Sequence, residues 1–319
     1  MAIDLRVLRN FVAVASSGSI SRAAEVQYVA QPSLSQQMKR LEEDLGAPLF
    51  ERHARGVVLT HSGERFLTHA VDILKRMDAA CEDIRTMNST PEGVVAIGMP
   101  LSIAKFLAVP VVQEVLERWP KVHLQFMEVG SASVPDDVLK GRLDIGLTFG
   151  MESDARLRFQ HMLDEELVFY ARPATLEAVL GPGGAQVKAL KLEDLQAFPV
   201  ILPTVGHSLR KRIDEYLDQE GVIFRVIAEV NTPPRLLELV QHGVGCTILS
   251  MASVDHAVLG ERLRAVKITA PTMRRSVYSC KLATMPMTLA VASVQELMCA
   301  TVERLTASGA WPCAYPEEG

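Results

Sequence analysis

The stretch that decides the fold is AQPSLSQQMKRLEEDLGAPLFERHARGVVLT, which occupies residues 30–60. Its first part predicts a helix, with Pro32 in the first turn and Gly46 just after the last turn. One face of this helix is apolar, at Leu34, Met38, Leu41 and Leu45. The second part, LFERHARGVVLT, predicts two short strands joined by a turn around residues 53–56.

Two further helices are predicted before this stretch. Residues 4–17 carry apolar side chains at helical spacing, at Leu5, Leu8, Phe11, Val12 and Ala15. Gly18 interrupts the pattern, and Ser19 is the predicted N-cap of a short helix that contains Ala23 and Ala24. Three short helices and a hairpin within about 60 residues are typical of a winged helix-turn-helix domain, predicted here over residues 1–61.

A heptad pattern marks the next segment, residues 62–90. Leu67, Leu74, Cys81 and Asn88 are seven residues apart, and Ala70, Met77 and Ile84 follow the first three of them by three positions. This spacing predicts a linker helix about 40 Å long. Coiled-coil pairing with a second copy is the favoured interpretation, with Asn88 able to set the register; an amphipathic helix packed on its own chain is the alternative.

Strands and helices alternate over residues 91–308. VVAIGMP, VHLQFMEV and DIGLTFG predict three strands separated by helices, hence a parallel sheet, and a second set follows from FPVILP to GCTIL. The tail segments SVYSCKLA and SVQELMCATVERL predict a return to the first set. The predicted fold class is therefore multidomain α+β and α/β, with two lobes and a cleft between them: lobe I (91–165 and 267–308) and lobe II (166–266).

Composition limits the class of protein. The chain has 319 residues, 48% of them hydrophobic, and a net charge of −5, which is ordinary for a globular protein. We expect no membrane span, no export signal and a cytoplasmic location, and the five scattered cysteines argue against disulfides and zinc. The motifs G-x-S-x-G, H-E-x-x-H and the Walker loop are absent, so neither an enzyme nor a cofactor is expected.

Residues 30–64, preceded by Phe11, Ser19 and Ala23-Ala24, resemble the N-terminal signature of LysR-type transcriptional regulators. The resemblance continues through the linker and the strand order that follows. It implies a homodimer or homotetramer that reads an interrupted palindrome in DNA, and an effector domain similar to periplasmic binding proteins. The segments GMPLS at 98–102 and ITAPTMRRSVY are similar to the subgroup around the nitrogen assimilation control protein.

The first candidate site is the start of the third helix, which in a helix-turn-helix reaches base edges in the major groove. The predicted DNA-binding residues are Gln31, Pro32, Ser33, Ser35, Gln36, Lys39, Arg52 and Arg55. Glutamine can bond adenine, and the free N–H groups of the helix attract phosphate. The resemblance places Arg55 where a wing arginine enters the minor groove. For Ser33 a capping box with Gln36 is the favoured alternative, while Arg40, Glu42, Glu43 and Asp44 are interpreted as a solvated or helix-packing set.

The second candidate site is the cleft between the lobes, at strand ends and helix N-termini. The predicted effector-binding residues are Pro100, Leu101, Ser102, Ser131, Ser133, Phe149, Thr204, Asn231 and Thr232, with Ala132 between the two serines. Hydroxyls and backbone amides with few charges favour a small organic anion. Helix caps that bind nothing are the alternative.

Three interpretations of the function are considered at the level of sequence, and the first is favoured. The chain is either a regulator with an effector, a solute-binding or enzymatic α/β protein with an added helical domain, or an architectural DNA binder without an effector. Cys246 in GVGCTIL is interpreted as structural rather than redox-active. The effector, the operator, the direction of regulation and the choice of dimer or tetramer are not determined by the sequence.

Overall fold

The computed structural model describes residues 3–53, 56–85, 90–254, 262–283, 287–312 and 314–315. The N-terminal elements are α1 (Leu5–Ser17), α2 (Ile20–Val26), α3 (Gln31–Leu45), β1 (Phe50–His53) and β2 (Gly56–Leu59). The two strands pair antiparallel, and Ser19 caps α2 as predicted. Gly46 ends α3 in the left-handed conformation that glycine adopts without strain. The winged helix-turn-helix prediction is confirmed.

The linker helix α4 runs over His61–Arg85. Its first half packs on its own chain, because Leu67, Ala70 and Leu74 are buried in one core with Leu8 and Phe11. The prediction that the whole heptad stripe pairs with a second copy is therefore wrong for this half, where α1 supplies the apolar partner. Cys81, further along the stripe, is exposed, and Asn88 lies outside the described residues.

Lobe I is built on a mixed sheet. Its elements are β3 (Gly93–Met99), α5 (Leu101–Arg118), β4 (Val122–Glu128), α6 (Val134–Leu139), β5 (Ile145–Thr148), β12 (Arg274–Leu282), α10 (Leu289–Ala307) and β13 (Ala314–Tyr315). Strands β4, β3 and β5 are parallel as predicted, and the tail strand β12 joins β5 antiparallel. A 3-10 turn at Ser131–Ser133 precedes α6.

Lobe II contains the elements predicted from FPVILP to GCTIL and several more. They are β6 (Leu157–Ala171), α7 (Pro173–Leu180), β7 (Ala189–Lys191), β8 (Pro199–Leu202), α8 (Ser208–Glu220), β9 (Arg225–Glu229), α9 (Pro233–Gln241), β10 (Thr247–Ser250) and β11 (Arg264–Thr269). Strands β6, β7 and β11 were not predicted. β8 and β9 are parallel, as expected for a strand–helix–strand unit.

The long strand β6 joins the lobes. Its first part, 157–166, pairs with β12 in lobe I, and its last part, 167–171, pairs with β10 and β11 in lobe II. Each lobe has its own apolar core on either side of this crossing. The prediction of two lobes is confirmed, and the crossing of β6 between them places the ends of β5, β10 and β12 next to one another.

Candidate functional site

The first turn of α3 carries an exposed polar surface. Gln31, Pro32, Ser33 and Gln36 are exposed and Ser35 is half-buried, whereas Leu34 and Met38 point into the core. No side chain caps the N-terminus of α3, and the first turn contains no acidic residue. The positive end of the helix dipole is therefore open to an external anion such as a phosphate group.

The predicted cap at Ser33 is wrong. The helix begins at Gln31 with Ala30 as its N-cap, so Ser33 is already the third helical residue. The N–H of Leu34 donates to the carbonyl of Ala30 at 3.0 Å, which places the first helical bond three residues earlier than the capping box requires. Proline is accepted in this first turn because its missing N–H has no intrahelical partner there.

Two contacts fix α3 in the domain. The buried Asn10 of α1 donates from Nδ2 to Oε1 of Gln37 at 2.6 Å. Glu42 accepts at Oε1 from the backbone N–H groups of Leu49 and Phe50, at 2.7 and 3.0 Å. Glu42 therefore ties α3 to the first strand of the wing, a role that the sequence analysis did not give it.

Of the remaining predicted DNA-binding residues, the structure describes Lys39 and Arg52 but not Arg55. Lys39 and Arg52 are exposed, and Lys39 Nζ lies 3.7 Å from Glu43 Oε1 at the surface. Arg55 lies outside the described residues. Tyr28, in the turn just before α3, is 96% exposed and has a φ of +54°.

The centre of the cleft is a buried arginine. Arg275 on β12 is 3% exposed and Glu165 on β6 is 1% exposed. Both Nε and Nη2 of Arg275 lie 2.7 Å from Glu165 Oε2, and Trp311 Nε1 donates to the other carboxylate oxygen at 2.9 Å. The paired charges neutralise each other, which is the condition for burying them.

Arg275 also connects the two lobes. Its Nη2 donates to Ser250 Oγ at 2.8 Å, at the end of β10, and lies 3.4 Å from Ser102 Oγ, in the first turn of α5. The guanidinium carbon lies 3.6 Å from the ring centre of Phe149, just past β5. Two predicted residues, Ser102 and Phe149, thus contact the same arginine, which was not predicted.

A cavity of about 420 Å³ adjoins this arginine. Its lining includes Ser131, Phe149, Ser208, Lys211, Arg212 and Arg275, together with Glu152 and Glu215. Arg212 is already occupied, since its Nη1 lies 2.9 Å from Glu215 Oε2 and its guanidinium stacks on Tyr216. The volume is in the range of small-ligand pockets.

Both domains match models of one family. Residues 5–64 match the bacterial regulatory helix-turn-helix protein of the lysR family, and residues 88–300 match the LysR substrate binding domain. The chain belongs to the LysR-type transcriptional regulators. As a member of that family it has a DNA-binding helix-turn-helix domain and an effector-binding domain, and its relatives are named as regulators rather than enzymes.

Curated relatives of this regulator include the nitrogen assimilation regulatory protein nac of Klebsiella aerogenes. The two are 27% identical over 275 residues, which cover 86% of this chain and 87% of the relative. The same protein of Escherichia coli is 27% identical over 278 residues, with coverage of 86% and 87%.

Solved structures of full-length regulators share the fold. A full-length OxyR variant from Pseudomonas aeruginosa has a TM-score of 0.78 at 21% identity, with 95% of each chain covered. Full-length CbnR in complex with its target DNA has a TM-score of 0.60 at 20% identity, covering 95% of this chain and 99% of that one.

Ser131 and Ser133, two other predicted effector-binding residues of the regulator, form hydrogen bonds with groups other than Arg275. Ser131 Oγ accepts from the N–H of Phe149 at 3.1 Å and lies 2.9 Å from Thr148 Oγ1, so it holds the loop after β5. Ser133 Oγ donates to the carbonyl of Gly130 at 2.8 Å and does not cap α6. These two hydroxyls stabilise the rim of the cleft.

Pro100 and Leu101 begin α5 without a side-chain cap; Pro100 is buried and Leu101 is exposed. Thr204 is half-buried, and Asn231 and Thr232 are exposed. Thr232 makes no capping bond to α9, and none of the lobe II residues Thr204, Asn231 and Thr232 lines the cavity of about 420 Å³.

The lobe II wall of the cleft is the N-terminus of α8. His207 caps this helix, accepting at Nδ1 from the N–H of Leu209 at 3.2 Å, so the ring proton of the neutral form is on Nε2. Burial, reinforced by the nearby Arg275 cation, lowers the pKa of His207. The next residue, Ser208, has a buried Oγ without a hydrogen-bond partner among the described residues, and it lines the cavity.

Cys246 lies in the core of lobe II. Its side chain is fully buried, and burial raises the pKa of its thiol to about 12. Such a thiol is inert, since the reactive form of cysteine is the thiolate. Over the part of the chain that the structure describes, no helix is both long and apolar enough to cross a membrane.

Proposed function

We propose that the regulator binds double-stranded DNA at an interrupted palindrome, with the first turn of α3 in the major groove. In this proposal Gln31, Pro32, Ser35 and Gln36 contact base edges, while Ser33, Lys39 and Arg52 contact the backbone and Arg55 enters the minor groove. The observation that carries the proposal is the exposed, uncapped and acid-free first turn of α3.

We further propose that two copies pair through the apolar side chains of residues 62–90 that their own chain leaves exposed, and that dimers associate into tetramers. In this proposal residues 1–61 bind DNA, residues 62–90 pair the copies and residues 91–308 bind the ligand. The protein acts in the cytoplasm. Exposed apolar side chains on the linker helix support the pairing, since Ile73 is 45% and Met77 is 43% exposed.

Selection of bound sequences from a random DNA pool tests the DNA part of the proposal. We expect a two-fold-related consensus with the wild-type protein and a changed base preference at one position of each half-site with Gln36→Ala. Lys39→Gln is expected to weaken binding to all DNA sequences equally. It should also reduce the slope of log affinity against log salt concentration by about one. Lys121→Gln, an exposed lysine of lobe I, is the control. Enrichment of AT-rich DNA without symmetry, unaffected by Gln36→Ala, would support an architectural binder instead.

We propose that the cleft binds a small organic anion next to Arg275. The supporting features are the cavity of about 420 Å³, the exposed Lys211 on its wall and the hydroxyl of Ser208. Lys211 is the cation best able to take the anion, because Arg212 and Arg275 are paired with Glu215 and Glu165.

Thermal unfolding of the full chain in the presence of each member of a panel of small carboxylates tests this site. We expect one compound to raise the melting temperature of the wild type and of Lys121→Gln but not of Lys211→Gln. If no compound does so, the cleft is vestigial. Control through the amount of the regulator is then the better account.

A further inference from the structure

A second cavity lies between the linker helix and lobe I. Its volume is about 490 Å³, and it shares no lining residue with the cleft between the lobes. Lys75 and Asp78 of α4 form one side of this junction cavity, and residues of β3, β12 and α10 form the other. A molecule bound here would contact the linker helix and the effector domain at the same time.

The charged residues around the junction cavity are paired with one exception. The pairs are Lys75–Asp144 at 2.6 Å, Asp78–Arg9 at 3.1 Å, Glu92–Lys121 at 3.5 Å and Arg142–Asp137. In each of these pairs the positive charge is compensated by a carboxylate of the protein. Lys281, on β12, is the exception among the described residues, since no carboxylate of that part of the chain forms an ion pair with it.

The two side chains that contact the ammonium of Lys281 are polar but uncharged. Its Nζ donates to Gln295 Oε1 at 2.9 Å and lies 3.4 Å from the thioether sulfur of Met287. The side chain is half-buried, and burial together with the nearby Arg158 lowers the pKa of Lys281. A partly desolvated ammonium without a counter-ion favours an external anion, which supplies the charge-assisted bond that the protein does not.

The walls of the junction cavity indicate what else the anion carries. Val94, Leu282, Met287 and Val291 line it beside the polar groups. The N-terminus of α10 also borders it, through Thr288, which caps that helix by accepting from the N–H of Val291 at 3.2 Å. Cation and apolar walls together match an anion with an apolar body rather than a bare phosphate.

We propose that the junction cavity is a second ligand site, which binds an organic carboxylate with an apolar tail. The carboxylate bonds the ammonium of Lys281 and the tail lies on Val94, Leu282 and Val291. Because Lys75 and Asp144 line the same cavity, occupancy bears directly on the contact between the linker helix and lobe I. This site is independent of the anion site proposed in the cleft.

Isothermal titration of the full-length chain with sodium octanoate tests the site. We expect wild-type protein to bind octanoate, and 1-octanol, with the same chain but no charge, to bind about tenfold more weakly or worse. Lys281→Gln should weaken octanoate about tenfold, while Lys281→Arg should bind close to the wild type because it keeps the charge.

Lys211→Gln, in the cleft between the lobes, is the matched control and should bind octanoate as the wild type does. Melting temperatures from circular dichroism verify that each variant is folded. Absence of octanoate binding to the wild type would overturn the proposal, as would equal binding by wild type and folded Lys281→Gln. Loss of binding in Lys211→Gln but not in Lys281→Gln would assign octanoate to the cleft and overturn it as well.

Discussion

Lys75 of the linker helix and Asp144 of lobe I form an ion pair with 2.6 Å between Nζ and Oδ1. The second oxygen of Asp144 accepts from the N–H of Ala96 on β3 at 2.9 Å. One turn earlier on the linker helix, Val71 lies against Gly141, where an added Cβ would be 2.1 Å from Val71 Cγ1. An ion pair and a close apolar contact thus connect the linker helix to lobe I.

The two partners of this pair should contribute unequally. We expect Asp144→Ala to lower the free energy of unfolding by about 1–2 kcal/mol, since it removes the ion pair and also leaves the N–H of Ala96 unsatisfied. Lys75→Gln should cost at most about 1 kcal/mol, because the pair is partly exposed. Urea unfolding measures both, with Lys39→Gln of the exposed Lys39–Glu43 pair as the control. Equal costs for the two variants would contradict the role of the backbone bond.

The buried pair of Arg275 and Glu165 gives a sharper test. Glu165→Ala leaves a buried cation without its partner and should cost about 3–5 kcal/mol of unfolding free energy. The double variant with Arg275→Met should be more stable than Glu165→Ala alone, because the stranded charge is gone. Denaturant titrations of the two single variants and the double variant measure the coupling. Strictly additive losses would show that the two side chains act independently.

Comparing substitutions of Asp4 and Ser33 tests which of the two residues caps a helix. Asp4 caps α1, accepting at Oδ1 from the N–H of Val7 at 2.8 Å, whereas Ser33 lies inside α3 and caps nothing. We expect Asp4→Ala to cost about 1 kcal/mol and Ser33→Ala to stay within about 0.5 kcal/mol of wild type. Thermal and urea unfolding decide this. A loss of DNA binding by Ser33→Ala without a loss of stability would support its assigned contact.

His207 should make stability depend on pH. Its pKa in the folded protein is lowered, so below its ordinary value of 6.5 the unfolded chain takes up the proton first. The free energy of unfolding should therefore fall as the pH is lowered through about 6.5 towards the pKa of the folded state. His207→Asn, which keeps an N-cap for α8, should flatten this dependence, and His53→Asn at the exposed wing is the control. Urea titrations at about pH 7.5 and pH 5.5 measure the difference. The same slope in wild type and His207→Asn would contradict the assignment.

Much of the fold was present in the sequence because it depends on short-range patterns. The apolar spacing of Leu34, Met38 and Leu41, the break at Gly46 and the cap at Ser19 act within one or two turns of helix. Strand and helix periodicity likewise predicted the elements from β3 to β5 and from β8 to β10. These features need no distant partner, so their prediction succeeded.

The errors share a physical cause. The heptad stripe at Leu67, Ala70 and Leu74 has the same appearance whether α1 or a second copy covers it, and only the packing of α1 decides. The capping box at Ser33 depends on where the helix begins, which Ala30 and Pro32 shift by three residues. A local pattern cannot choose between two structures that satisfy it equally well.

The sequence by itself determined the winged helix-turn-helix, the long linker helix, the two lobes and the polar first turn of α3, since each rests on spacing along the chain. Only the tertiary structure decided the centre of the cleft. Arg275, Glu165 and Trp311 are far apart in sequence and meet because β12 pairs with β6 where β6 passes from lobe I into lobe II. The same holds for Lys281: that no described carboxylate forms an ion pair with it is a property of the folded surroundings and not of its neighbours in the chain.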